Sequence, residues 1–145
     1  MKDFRNEVWL NFTKIGRNFD AMLEIIIDNE EITKNQALTL FFIAMNKNVR
    51  VNDIKDKFKA NQGNISSLCK KMEQLELIRK VKNKDDERIV NLELLPKGEK
   101  IIEIIKKKFR SIEDRLSTKE KDEMIEALSK LNELSMIFMN KMKGK

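Results

Sequence analysis

Residues 62–75 place side chains that suit phosphates and base edges on one face of a predicted helix. Apolar residues recur at spacings of three and four, which puts one side of an amphipathic helix against the protein core: Ile65, Leu68, Cys69, Met72 and Leu75. Apart from Gly63, the remaining positions before Glu73 carry amide, hydroxyl or ammonium groups and no carboxylate: Gln62, Asn64, Ser66, Ser67, Lys70 and Lys71. Such groups bind phosphate oxygens and base edges, so this face predicts nucleic-acid binding. An ordinary amphipathic surface helix is the alternative, and the lack of acidic residues before Glu73 weighs against it.

The start of the same helix is suited to an anion. Asn61 is a predicted N-cap, because its side-chain oxygen can accept a backbone N–H of the first turn. Gly63 has no side chain beyond hydrogen, so a phosphate can approach the N-terminal N–H groups closely. We therefore predict that both Asn61 and Gly63 belong to the DNA-binding residues.

The residue types that most enzymes need are missing. The chain has no histidine and no tyrosine, which removes the commonest general base, the serine-type triad and most zinc sites. Its single cysteine, Cys69, excludes an internal disulfide and falls on the inward side of the helix, where a core role is favoured over a reactive one. The acidic run Asp85–Glu87 has no neighbouring ligands and indicates a solvated turn rather than a metal site. We predict no catalytic residue, no metal and no cofactor, and hence no enzyme.

The charge is concentrated in one part of the chain. The 145 residues carry a formal net charge of +6, and the block from Lys47 to Arg88 holds 12 Lys and Arg against 7 Asp and Glu, a balance of +5. This suits a polyanionic partner, although a solvated, Lys-rich surface is the alternative. No stretch reaches the roughly 18 uninterrupted apolar residues of a membrane span, and nothing at the N-terminus indicates a signal peptide. We predict a cytoplasmic protein with no membrane partner.

The elements that position this face follow from periodicity and caps. Heptad-like apolar spacing predicts a long helix over 4–27. A capping box at Thr33 and Gln36 starts a second helix, and a short helix follows over 51–58. After the helix at 62–75, alternating residues over 77–82 and 89–94 predict a β-hairpin with a charged tip. Pro96 suits the first turn of the next helix, and a capping box at Ser117 and Glu120 starts the last one.

Helix, short helix, turn, helix and hairpin is the order of a winged helix-turn-helix domain. In such a domain the second helix of the turn motif enters a DNA major groove, and the hairpin reaches the adjacent backbone or minor groove.

With these elements and residues, the sequence resembles the MarR family of bacterial transcriptional regulators. The resemblance covers the whole chain in element order and is most specific over 61–98. It is carried by four segments in the family's order and spacing: Asn61–Leu68, Met72–Ile78, Asp86–Arg88 and Asn91–Gly98.

The resemblance implies a role for the hairpin, called the wing. Arg88 would reach the minor groove, pair with Asp86, or do both, while Lys82 and Lys84 would contact phosphates and add salt-dependent affinity. Two positions depart from the family here: Glu76 stands where the family has a glycine of positive φ, and Glu87 replaces a common arginine. A third departure, Leu95 in place of the usual Thr, leaves the next helix start less well capped.

The terminal helices carry more apolar surface than a small winged domain can cover, which favours a homodimer. This is also what the resemblance implies, and a two-fold dimer would bind a pseudo-palindromic operator in double-stranded DNA. An intramolecular helical bundle that buries those faces is the alternative.

A small-molecule effector is implied by the resemblance alone. The residues that could line a cleft between the terminal helices and the winged domain are Phe12, Phe19, Phe41, Phe42 and Ile105. Each of them could equally be a core residue.

Together these observations predict a mainly α fold with a small β-hairpin wing, a winged helix-turn-helix domain flanked by N- and C-terminal dimerisation helices. The predicted division is 1–31, 32–95 and 96–145. The predicted function is a MarR-like transcriptional regulator, a repressor relieved by a ligand. The alternative is a helical protein-interaction module that has lost DNA binding.

Overall fold

The computed structural model describes residues 3–28, 30–58 and 61–144, with only the backbone of Gln62. Eight elements follow one another along the chain: α1 (Phe4–Ile27), α2 (Lys34–Met45), α3 (Val51–Phe58), α4 (Gln62–Gln74), β1 (Ile78–Lys82), β2 (Val90–Leu94), α5 (Pro96–Glu113) and α6 (Thr118–Met142). The predicted order of elements is confirmed. The contacts divide the chain into two compact units, Met1–Lys106 and Lys107–Lys145. The three-part division made from the sequence stays a prediction.

Side-chain caps fix the helix starts. At α2, the Thr33 hydroxyl accepts the Gln36 backbone N–H at 3.2 Å, and the Gln36 amide oxygen accepts the Thr33 N–H at 2.9 Å. The box satisfies two backbone N–H groups that the helix leaves without intrahelical partners. In the second unit, Ser117 and Glu120 form the same box at the start of α6. Both boxes confirm the sequence prediction.

The core lies in the first unit. The buried apolar residues among those described come from α1 to α5, the wing and two connections, at Val49 and Leu77, and fall between Ile26 and Ile105. In the second unit, no described residue is fully buried. Among the described residues, the apolar side chains of α6 therefore contribute nothing to the buried core.

The wing is a two-stranded antiparallel hairpin in which Ile78 is opposite Leu94 and Lys82 is opposite Val90. Its second strand is tied to the turn before α3, because the Leu92 N–H donates to the Val49 carbonyl at 2.7 Å. Beside this bond, the buried Asn91 amide donates to the Asn48 side-chain oxygen at 3.4 Å. Asn48 is one of two non-glycine residues with positive φ among those described.

The start of α5 packs directly on the beginning of the wing. The Leu95 N–H donates to the Leu77 carbonyl at 3.0 Å. A Cβ added at Gly98 would lie 2.3 Å from that same carbonyl oxygen, so only glycine fits at this crossing.

Candidate nucleic-acid interface

The α4 helix has the two faces that the sequence predicts. Ile65, Cys69 and Met72 are buried, with 3 %, 0 % and 0 % of their surface exposed, and Leu68 and Leu75 are half-buried. The opposite face is exposed at Gly63, Asn64, Ser66, Ser67, Lys70 and Lys71. The side chain of Gln62 lies outside the described residues. Since α3 packs against α4, the inward face is held by the domain and the polar face is left to solvent.

The start of α4 is capped as predicted. The Asn64 N–H donates to the Asn61 side-chain oxygen at 2.8 Å, and Asn61 has the extended backbone of an N-cap. The turn between the helices predicted over 51–58 and 62–75 falls at 59–61, of which only Asn61 is described. A Cβ placed at Gly63 would meet only that oxygen, at an ordinary 3.5 Å. The space above Gly63 is therefore open to an approaching anion.

The end of α4 shows why Glu76 stands at a special position. The Leu77 N–H donates to the Met72 carbonyl and the Glu76 N–H to the Glu73 carbonyl, both at 3.0 Å. This is a Schellman ending, whose residue after the C-cap adopts the left-handed conformation. Glu76 does so with φ 58°, where glycine is the favoured residue.

The cysteine of α4 is a core residue. Burial raises the pKa of the Cys69 thiol above its usual 9.0, outweighing the opposing effect of Lys80. A buried thiol with a raised pKa carries little of the reactive thiolate at neutral pH.

Hydrogen bonds of Asn83 organise the tip of the wing. The Asn83 side-chain oxygen accepts the backbone N–H groups of Asp85 and Asp86 at 2.9 and 3.3 Å, and the Asn83 N–H donates to the Ile89 carbonyl at 2.8 Å. This role of Asn83 was not predicted from the sequence, although an asparagine in a charged turn commonly bonds the backbone two residues on and forms an Asx turn.

Arg88 is held by Asp86 in a two-point ion pair. The Arg88 Nε and Nη2 donate to the two Asp86 carboxylate oxygens at 3.0 and 2.9 Å, and the Arg88 backbone N–H adds a third bond. These bonds hold the pKa of the Asp86 carboxyl below its usual 3.8 and raise the pKa of Arg88. The Arg88 side chain is nevertheless 90 % exposed. The predicted pair is present, and the guanidinium stays accessible to a ligand.

Some positively charged side chains near this interface form ion pairs with carboxylates, and others do not. Arg79 pairs across the hairpin with Glu93 at 3.0 Å, and Lys80 pairs with Glu73 at 3.3 Å. Four exposed lysines enter no ion pair among the described residues: Lys70 and Lys71 on α4, and Lys82 and Lys84 on the wing. They remain free to bind an external anion, and all lie within the first compact unit.

The predicted effector residues lie in different surroundings. Phe12 and Phe19 on α1 are 40 % and 41 % exposed, Phe41 and Phe42 are half-buried, and Ile105 has no exposed surface. Phe19 lines a small cavity on α1, whereas Phe42 lines another beside Val49. Ile105 is a core residue in this chain, which fits the alternative stated for it. An effector role for the five stays a prediction.

Neither a metal-binding cluster nor a membrane-spanning helix is found in the described parts of the chain. No group of three or more metal-ligating side chains occurs among them. None of the helices they form has both the length and the apolar character of a membrane span.

Comparison with known proteins finds a family match within the winged domain. Residues 31–89 match the sequence profile of the MarR family. The HTH-type transcriptional regulator BilQ of Clostridioides difficile is 26 % identical over 111 residues, which cover 74 % of this chain and 75 % of BilQ. The predicted resemblance is confirmed, and the homologues of this chain are MarR-family transcriptional regulators.

Solved structures confirm the fold class. Staphylococcus aureus MarR in complex with salicylate and kanamycin matches with a TM-score of 0.72 at 21 % identity, covering 91 % of this chain and 92 % of that one. The Staphylococcus aureus MepR–DNA complex matches with a TM-score of 0.66 at 23 % identity, covering 87 % and 93 %. The chain is a mainly α winged helix-turn-helix protein with a two-stranded wing.

Proposed function

We propose that this chain, whose residues 31–89 match the MarR family, is a sequence-specific regulator that binds double-stranded DNA. The observation that carries the proposal is the exposed polar face of α4, which offers hydroxyl, amide and ammonium groups on a helix whose other face is buried. In a winged helix-turn-helix domain this helix enters the major groove. On α4, Ser67 and Lys70 are the residues we expect at base edges and phosphates.

The wing supplies the second contact. Lys82 and Lys84 bind phosphates, and Arg88, oriented by Asp86, reaches the minor groove. Lysine–phosphate contacts release counterions, so each adds about −0.9 to the slope of log affinity against log salt on double-stranded DNA. The wing therefore adds affinity that salt weakens, while α4 adds the sequence preference.

The active form is a homodimer on a pseudo-palindromic operator. In the first unit, α1 exposes large apolar side chains, including Trp9 and Ile25 at 71 % each. In the second unit, α6 exposes Ile125 at 66 % and has no buried residue. Exposed apolar surface of this extent favours association. A two-fold dimer then presents two α4 helices to half-sites about one helical turn apart.

The regulator works in the cytoplasm as a repressor that a small molecule releases. The Staphylococcus aureus MarR structure contains salicylate and the MepR structure contains DNA, so this fold can hold either kind of ligand. In this chain the effector would bind the free dimer better than the DNA-bound one, which is the condition for release.

Titration onto the DNA upstream of the protein's own gene tests the proposal, with a scrambled duplex of the same length as control and a salt series for each. We expect tighter binding to the upstream DNA, two chains per site and a steep loss of affinity with salt. Equal weak binding to both duplexes would be followed by selection of bound genomic fragments. If that selection enriches no sequence, the regulator proposal is refuted and the interaction-module alternative stands.

A double substitution tests the assignment of the α4 face. Ser67→Glu with Lys70→Glu places two carboxylates where phosphates are expected, so operator binding should be lost while the circular dichroism spectrum and the dimer are kept. Lys107→Glu with Ser111→Glu makes the same change at exposed positions of α5 and should retain binding. If the α4 variant still binds the operator, that face is not the DNA contact.

A further inference from the structure

A cavity of about 360 Å³ lies in the first unit, between the α1–α2 connection, the end of α4 and the start of α5. Its floor is apolar and combines fully buried and half-buried side chains: Ile32, Leu75, Leu77, Ile101 and Ile104. A volume of this size falls in the range of pockets that hold small organic molecules.

Charges of both signs line the same cavity. Glu30 and Glu31 come from the α1–α2 connection, and Lys97 and Lys100 come from the first turns of α5. Glu31, Lys97 and Lys100 are exposed and Glu30 is half-buried, and none of the four enters an ion pair within the described residues. Neither carboxylate therefore lies within ion-pair distance of either ammonium group, and both kinds of charge share one cavity lining with the apolar side chains.

We propose that this cavity binds a small amphipathic zwitterion, a molecule whose amine and carboxylate are separated by an apolar body. The carboxylate binds Lys97 and Lys100, the amine binds Glu30 and Glu31, and the apolar body covers the floor. Charge-assisted hydrogen bonds at both ends favour such a ligand over one that carries a single charge. A purely anionic ligand would leave the two glutamates without a partner, and a purely cationic one would leave the two lysines without a partner.

The position of the cavity connects it to the interface. Leu75 is the C-cap of α4 and Leu77 leads into the wing, so the cavity wall flanks Glu76 with its left-handed backbone. A ligand that contacts both neighbours of Glu76 changes the relative stability of the arrangements available to α4 and the wing. This regulatory consequence rests on the proposed function, whereas the binding site itself does not.

Three matched probes test the site on the full chain without DNA. Para-aminomethylbenzoate carries both charges, para-toluate lacks the amine, and para-methylbenzylamine lacks the carboxylate. Titration calorimetry gives the affinities, and the methyl resonances of Leu75, Ile101 and Ile104 report the place of binding. We expect the zwitterion to bind at least ten-fold more tightly than either analogue and to shift these three resonances.

Two double variants test the role of the lysines, one at the cavity and one away from it. Lys97→Gln with Lys100→Gln should remove the preference for a carboxylate, while Lys107→Gln with Lys108→Gln, further along α5, should keep it. Absence of the methyl shifts, equal binding of the three probes, or an unchanged preference in the Lys97 and Lys100 variant would each overturn the inference. A protein that binds the zwitterion but no DNA sequence would refute the proposed function alone, and the reverse result would refute this inference alone.

Discussion

Gly98→Ala should destabilise the protein, because the added methyl group has no room. The new Cβ would lie 2.3 Å from the Leu77 carbonyl oxygen and 3.2 Å from its carbon. That oxygen is backbone and also accepts the Leu95 N–H at 3.0 Å, so it cannot move without weakening the junction of α5 and the wing. Overpacking costs about 1–3 kcal/mol, and a weakened hydrogen bond adds about 0.5–1.5 kcal/mol.

A gain in helix propensity partly offsets this loss. Alanine is favoured over glycine by up to about 1 kcal/mol in a helix, which leaves a net loss of about 0.5–3.5 kcal/mol in the free energy of unfolding. For a chain of this length, each kcal/mol corresponds to about 2–4 °C in the melting temperature. The measurement is urea unfolding followed by circular dichroism, at one protein concentration for all variants.

Gly63→Ala is the matched control, since Gly63 also lies in the first turn of its helix. Its added Cβ meets only the Asn61 side chain at 3.5 Å, so this variant should unfold at the same urea concentration as the parent or at a higher one. If Gly98→Ala is as stable as Gly63→Ala, the close packing of α5 on Leu77 does not constrain this position.

Three further predictions concern the interface. Gly63→Ala should bind the operator at least ten-fold more weakly, because its methyl group stands where a phosphate approaches; unchanged affinity by fluorescence anisotropy would contradict that approach. Glu76→Gly should raise the free energy of unfolding by up to about 1 kcal/mol in urea, since glycine adopts positive φ without strain, and a destabilised variant would count against the Schellman ending. The Asp86 carboxyl should titrate below 3.8 by carbon NMR because its pKa is lowered by Arg88. Its contribution to stability is thus present above 3.8 and lost as the pH falls through the lowered value; a midpoint at or above 3.8 would show that the ion pair is absent in solution.

Features set by neighbouring residues were predictable from the sequence. The capping boxes at Thr33 and Ser117 and the N-cap at Asn61 depend on residues within three positions of one another. The pair of Asp86 and Arg88 is equally local. The positive φ at Glu76 was predictable because the family has a glycine there.

Features that depend on contacts between distant segments were not predictable. The hydrogen bond between Asn91 and Asn48 spans 43 positions, and the pair of Arg79 and Glu93 exists only because of the strand register. The close approach of Gly98 to Leu77 likewise requires knowledge of how α5 crosses the wing.

The first residues of the two strands were also not predictable from the sequence. Leu77 was predicted as the first strand residue, but its N–H closes the end of α4 on Met72. Ile89 was predicted to begin the second strand, but its N–H donates to the Asp86 carbonyl in the hairpin turn. Backbone hydrogen bonds of the adjoining turns, which alternation does not reveal, decide both boundaries.

No described residue of the second unit is fully buried. This feature affects how much protein a cell needs to occupy the operator. In the proposed dimer, the apolar side chains of α6 are covered only when two chains meet, so the folded state gains stability with protein concentration by mass action. Well below the dissociation constant of the dimer, the DNA-binding species grows with the square of the chain concentration. A two-fold fall in synthesis would then cut that species about four-fold, which makes occupancy of the operator steeply dependent on expression level.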